Sequence, residues 1–161
     1  MKKLFSVLIV LVAAIASTMF VSCSKNDDDK VNSQTVVISL EPNEDILAMF
    51  DISAVYTDGN GNTQTEAVTG NFTKSFSVSS FPATGTIGIK ATAKSTIKEG
   101  KYSPSITVDY EASSLYTKEI WGSPVNISSQ TEAQQYADKK LNSKKLTWKF
   151  LADGSVEKPK I

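Results

Sequence analysis

Few side chains in this sequence can do acid–base, nucleophilic or metal chemistry. The chain has 161 residues with 17 basic and 17 acidic side chains, no histidine and one cysteine, and every basic residue is a lysine. Without histidine there is no Ser-His-Asp triad, no Cys-His dyad and no imidazole metal ligand. Without arginine there is no bidentate fork for a phosphate or a carboxylate. Carboxylates, aromatic rings and the single cysteine are left to examine.

Carboxylates are the conventional acid–base groups that remain, and a glycosidase-like pair is the simplest catalytic arrangement they could form. Asp51, Asp109 and Glu111 each alternate with apolar neighbours. This pattern predicts that all three lie on the solvent side of half-buried strands. Nothing in their spacing brings them together, so we expect no catalytic residue and a protein that is not an enzyme.

A turn-like segment offers the only spacing that is reminiscent of a metal site. Asp58, Asn60 and Asn62 stand at alternate positions, as calcium-loop ligands do. The match ends there, because Thr63 occupies the glycine position of such a loop and Thr69 occupies the position of the bidentate acid. A hairpin turn is the simpler interpretation, and we expect no metal and no cofactor.

Two aromatic side chains are the best candidates for ligand binding. Tyr116 and Trp121 lie in the segment 115–122. Ser113-Ser114 precede this segment and Ser123-Pro124 follow it. In a loop, such rings can stack on a sugar or anchor a protein interface. The alternative is that Trp121 caps one end of the fold and is part of the core.

The only cysteine, Cys23, follows a stretch typical of a secretory signal. Lys2 and Lys3 open the chain, residues 4–16 contain a single polar side chain, and small residues follow before Cys23. A positive start, a short apolar core and small residues before a cleavage point describe a signal peptide. The alternative is a transmembrane anchor, but the apolar stretch of residues 4–21 would barely span a bilayer.

The residues around Cys23 resemble a known processing motif. Phe20-Val21-Ser22-Cys23 is similar to the lipobox of bacterial lipoproteins, although Phe20 stands where leucine is usual. The acidic segment 24–29 resembles the surface-export signal of Bacteroidetes-type lipoproteins. The resemblance implies that residues 1–22 are removed and that Cys23 is acylated. It also implies that a flexible acidic tether, residues 23–33, holds the rest of the chain at the outer membrane, with display at the cell surface.

The remaining residues, 34–161, have the pattern of one β-rich domain. Apolar and polar residues alternate with a period of two, and turn-forming residues interrupt the pattern repeatedly. The first strand ends near Glu41, a long second strand has Ile46 and Tyr56 on one face, and residues 63–69 form a weakly apolar edge strand. Short strands separated by frequent turns predict an Ig-like antiparallel β-sandwich of about six to nine strands.

One late helix is expected in this domain. Ser129 and Glu132 have the spacing of a capping box. The apolar residues that follow recur at helical spacing as far as Leu141. After the helix, a last hairpin is expected, with Trp148 on its buried face and a turn at Asp153-Gly154.

Charge and composition limit the partners. Removal of residues 1–22 takes Lys2 and Lys3 from the basic residues and no acid, which leaves a formal charge of −2. An arginine-free, weakly acidic chain has no electrostatic footprint for nucleic acid. We expect a non-catalytic envelope lipoprotein that is attached to the membrane by its lipid and binds a protein partner. The alternative is a carbohydrate-binding accessory module at the cell surface, using Tyr116 and Trp121.

Overall fold

The computed structural model describes residues 33–113 and 115–157. The predicted signal peptide, Cys23 and nearly all of the predicted tether lie outside the described residues. The elements run in the order β1 (Gln34–Pro42), α1 (Glu44–Met49), β2 (Phe50–Thr57), β3 (Thr63–Val68), β4 (Phe72–Val78), β5 (Ala83–Ala93), β6 (Gly100–Tyr102), β7 (Ser105–Ala112), β8 (Leu115–Gly122), β9 (Val125–Ile127), α2 (Gln130–Lys140), β10 (Lys145–Phe150) and β11 (Val156–Glu157).

Two antiparallel sheets enclose the core. The four-stranded sheet has the order β4-β1-β7-β8 and the five-stranded sheet has the order β11-β10-β5-β2-β3, while β6 and β9 pair as a separate ribbon. The predicted antiparallel β-sandwich is confirmed. The described residues form eleven strands, more than the six to nine expected, and the excess lies in β6, β9 and β11, which have two or three residues each.

The core forms where the inward residues of the two sheets meet. Alternate residues of β1 and β7 are fully buried, as the period of two predicts. Trp148 of β10 reaches across to Tyr110 of β7, and their ring centroids are 3.5 Å apart. The register places Gly85 opposite Trp148, and a side chain on Gly85 would collide with the indole. The predicted burial of the last hairpin at Trp148, which is 1% exposed, is confirmed.

The chain before β2 differs from the prediction. The expected long second strand is wrong at its start, because Glu44–Met49 form the helix α1. The side chain of Asn43 caps this helix by accepting a hydrogen bond from the N–H of Ile46 at 3.0 Å. Ile46 and Met49, three positions apart, are both buried. Buried residues recur every three or four positions in a helix and every two in a strand. The spacing of three between Ile46 and Met49 and the cap at Asn43 are those of a helix.

The predicted late helix is confirmed as α2. Ser129 is its N-cap, and its Oγ accepts a hydrogen bond from the N–H of Glu132 at 3.2 Å. The carboxylate of Glu132 in turn accepts from the backbone N–H of Ser128 at 2.9 Å. Ala133 and Tyr136 lie on the buried side of the helix.

Side-chain amides from the α2 region take the place of a strand beside β5. The chain at Ala91 and Ala93 extends past the end of its pairing with β10. The N–H of Ala91 donates to Oδ1 of Asn142 at 2.7 Å, and Nδ2 of Asn142 donates back to the Ala91 carbonyl at 3.1 Å. The N–H of Ala93 donates to Oε1 of Gln134 at 2.8 Å, and Nε2 of Gln130 donates to the Ala93 carbonyl at 3.0 Å.

These amides should contribute measurably to stability. Gln134→Ala and Asn142→Ala each leave backbone groups of β5 without a partner, and we expect each to lower the free energy of unfolding by about 1–3 kcal/mol. Urea denaturation measures the change. Gln135→Ala is the matched control, because Gln135 lies on the same helix and is exposed. Equal effects at positions 134 and 135 would contradict a pairing role for the amide.

Candidate functional site

The carboxylates considered for catalysis lie on two different sheets. Asp51 faces outward from β2 in the five-stranded sheet, where Lys94 Nζ is 3.8 Å from its carboxylate. Asp109 and Glu111 lie on β7 in the four-stranded sheet. The structure therefore separates Asp51 from the other two.

The segment 58–62 forms the hairpin turn between β2 and β3. Oδ1 of Asp58 accepts hydrogen bonds from the N–H groups of Asn60 and Asn62, both at 2.9 Å. Oδ2 accepts from Nε2 of Gln64 at 2.7 Å. The bonds from Asn62 and Gln64 are the main causes that lower the pKa of the Asp58 carboxyl. Both oxygens of the Asp58 carboxylate thus accept hydrogen bonds from within the β2–β3 hairpin. Residues 33–113 and 115–157 contain no cluster of three or more potential His, Cys, Asp or Glu metal ligands.

The structure does not bring Tyr116 and Trp121 together. The segment predicted to be a loop is the strand β8, which pairs with β7 along its whole length. Neighbouring strand residues face opposite sides, and the two aromatic residues are five positions apart. Trp121 is 2% exposed and its Nε1 donates to Glu119 at 2.7 Å, whereas Tyr116 is 58% exposed. The two rings therefore do not form one binding surface: Trp121 is a core residue, as the alternative interpretation of the sequence had it, and of the two only Tyr116 faces solvent.

Tyr116 shares its outward side with a residue that sequence reasoning missed. Ile120 is 68% exposed, and it is the only other exposed large hydrophobic side chain in the described part of the chain. Lys118 lies between the two on the same side of β8. Tyr116, Lys118 and Ile120 occupy alternate positions, which in a strand places them on one face. This pattern predicts a surface only if the segment is a strand, and the sequence favoured a loop. We call the outward surface of β8 and β7 the β8 face; it comprises Tyr116, Lys118, Ile120, Thr107, Asp109 and Glu111.

The β8 face is acidic around Tyr116. The Tyr116 hydroxyl donates to Oδ1 of Asp109 at 2.9 Å, and Lys118 Nζ lies 3.8 Å from the other oxygen of the same carboxylate. The hydrogen bond to Asp109 is the main cause that raises the pKa of the Tyr116 hydroxyl, with further contributions from the charges of Glu41 and Glu111. The carboxylates of Asp109, Glu41 and Glu111 therefore make the surroundings of the exposed Tyr116 ring negative.

The strand that carries this surface lies at the edge of its sheet. β8 pairs with β7 on one side, and no described strand pairs with its other side. An edge strand presents unpaired N–H and C=O groups that can bind another extended chain. The β8 face thus combines free backbone groups, two exposed apolar side chains and a negative local charge.

Two comparisons with known proteins give no family for the chain. No protein-family model matches it. No curated protein matches it either. Within the described ranges, none of the helices has the length and apolar character needed to cross a membrane.

Proposed function

We propose that this protein is a non-catalytic lipoprotein of the outer membrane that binds a protein partner through the β8 face. The observation that carries the proposal is the exposure of Tyr116 and Ile120 on the same side of one edge strand, with Lys118 between them. Single exposed apolar residues are common on protein surfaces, but two large ones on a strand with free backbone groups favour an interface.

The chemistry of the β8 face favours a particular kind of partner. Tyrosine is enriched among the residues that dominate binding at protein interfaces. Asp109 and Glu111 add negative charge beside Tyr116. Complementary charge steers and orients a partner. The partner we propose has an extended segment with apolar side chains flanked by lysine or arginine.

The membrane location is proposed from the first part of the chain. The apolar stretch followed by Val21-Ser22-Cys23 supports acylation of Cys23, and the acidic residues 27–29 support display at the cell surface. The lipid then provides the attachment to the membrane, and the sandwich is free to bind its partner.

Site-specific photo-crosslinking in intact cells tests the proposal. A photoreactive benzoylphenylalanine in place of Ile120 should give an adduct of discrete size with one partner protein. The matched control is the same group in place of Thr65, which is exposed on β3, the edge strand of the other sheet. Adding Tyr116→Ser should reduce the adduct at position 120. No adduct at position 120, or the same adduct at positions 120 and 65, would contradict the proposal.

A carbohydrate-binding function at the same surface is the second candidate. It is favoured by the exposed ring of Tyr116, which lies beside the carboxylates of Asp109 and Glu111. The burial of Trp121 removes the second ring that the sequence suggested. Affinity electrophoresis in gels containing neutral polysaccharides separates the two functions: retardation that Tyr116→Ala abolishes would favour sugar binding at the β8 face.

A further inference from the structure

A second surface, on the outer side of the five-stranded sheet, is built around a glycine. Gly88 lies in the middle of β5 and pairs with Val55 of β2 on one side and Lys145 of β10 on the other. Thr86 and Lys90, two residues away along β5, point to the same side. Because Gly88 has no side chain, these four neighbours surround a depression in the sheet.

The segment after α2 turns this depression into a groove. A side chain carbon on Gly88 would lie 3.2 Å from the carbonyl oxygen of Lys144, so the segment passes closely over the glycine. The groove has a volume of about 450 Å³. We call it the Gly88 groove; its lining includes Val55, Thr63, Thr86, Lys90, Asn142, Ser143, Lys144 and Lys145.

The charge of the Gly88 groove is positive. Lys90, Lys144 and Lys145 line it, and no acidic residue does. Among the residues that the structure describes, none of these three lysines forms a salt bridge. Asp138, outside the lining, accepts a hydrogen bond from Nδ2 of Asn142 at 2.8 Å. All three lysines are exposed, and Lys144 also lines the groove with its backbone carbonyl. Positive charges gathered around one groove repel one another, and a bound anion relieves that repulsion.

We propose that the Gly88 groove binds an acidic sugar unit of a polysaccharide. The lysine ammonium groups would bind its sulfate or carboxylate, and the hydroxyl of Thr63 would bind one of its hydroxyls. The Thr86 hydroxyl already bonds to that of Thr57 at 2.7 Å, and the Ser143 hydroxyl donates to the Lys139 carbonyl at 2.9 Å. The Ser143 oxygen keeps a lone pair that can accept from a sugar hydroxyl. Val55 provides a small apolar surface for the carbon face of the ring. The volume lies in the range of small-molecule sites, about 300–1,000 Å³.

The lining favours an acidic glycan over other polyanions. Single-stranded nucleic acids bind by stacking bases on aromatic rings, and the groove has no aromatic residue in its lining. Membrane surfaces are bound by lysines combined with exposed apolar side chains that insert. In the described residues the large exposed apolar side chains are Tyr116 and Ile120, which belong to the four-stranded sheet on the other side of the core.

Affinity electrophoresis of the full-length lipoprotein in detergent tests the inference, with heparin as the sulfated probe and polygalacturonate as the carboxylated probe. Wild-type protein should be retarded by at least one of them and not by neutral dextran. The double variant Lys90→Gln/Lys145→Gln should bind about tenfold more weakly. Lys90→Arg/Lys145→Arg keeps the charge and should retain binding.

Matched controls make the result decisive. Lys98→Gln/Lys101→Gln removes the same charge at exposed positions outside the groove and should bind like the wild type. An equal loss in both Gln pairs, or retardation by neither acidic probe, would overturn the inference. Binding to vesicles of anionic phospholipid that only the Lys90/Lys145 variant loses would also overturn it, in favour of a membrane surface. Tyr116→Ser leaves the groove intact, so its effect on photo-crosslinking and the effect of the lysine variant on glycan binding can be separated.

Discussion

Replacing Trp121 by alanine is expected to lower the free energy of unfolding by about 3–5 kcal/mol. The indole is 2% exposed on the inward side of β8, and its Nε1 donates to Glu119. Truncation would leave a cavity in the core and would remove the partner of the Glu119 carboxylate. Urea denaturation measures the loss, and the melting temperature should fall by about 10 °C or more.

Tyr116→Ala is the matched control for this experiment, because Tyr116 lies on the same strand and faces solvent. We expect it to change the melting temperature by no more than about 3 °C. A small effect at Trp121 together with a large effect at Tyr116 would mean that the face of β8 has been assigned the wrong way round. The comparison needs no knowledge of the ligand.

Replacing Cys23 by serine should abolish fatty-acid incorporation completely. The proposed anchor depends on the thiol, because the resemblance to lipoproteins implies that the cysteine at position 23 is the residue that is acylated. Each methylene of a bound acyl chain contributes about 0.8 kcal/mol on insertion, and two or more chains are needed for stable attachment. Labelling of cells with an alkyne fatty acid, followed by separation of membrane and soluble fractions, measures both the modification and the attachment.

Ser24→Ala is the control for the cysteine variant, since it alters the neighbouring residue and leaves the thiol. It should be labelled like the wild type. Equal labelling of the wild type and of Cys23→Ser would end the lipoprotein proposal. The β8 face and the Gly88 groove would then still be testable, because neither depends on the anchor.

The sequence predicted those parts of the fold in which the apolar residues fit only one spacing, either that of a strand or that of a helix. The alternation of Leu146, Trp148 and Phe150 predicted a buried strand face, and the Ser129–Glu132 spacing predicted the start of α2; both are confirmed. The strand predicted from Ile46 onward is wrong before Phe50, because the apolar residues Ile46 and Ala48 also fit a spacing of two. The capping residue Asn43 and the two acids that follow it were the local signal for a helix.

The candidate sites were harder to predict, because they depend on register between strands that are distant in sequence. The polar borders of residues 115–122 indicated a loop, whereas pairing with β7 makes the segment a strand and separates Tyr116 from Trp121. The Gly88 groove gave no sequence signal at all. Lys90 and Lys145 are 55 positions apart, and only the pairing of β5 with β10 brings them to one surface. A net charge near zero conceals such a local cluster.

The amide pairs beside β5 also affect how copies of this protein meet. β5 is the longest strand, and without Gln130, Gln134 and Asn142 the backbone at Ala91 and Ala93 would be a template for a second chain. The proposed lipid anchor would confine the molecules to two dimensions and raise their effective concentration, so that accidental strand pairing would become more frequent. A side-chain amide satisfies one donor and one acceptor and cannot continue the ladder. The helix therefore ends the sheet at this point and limits self-association among crowded neighbours.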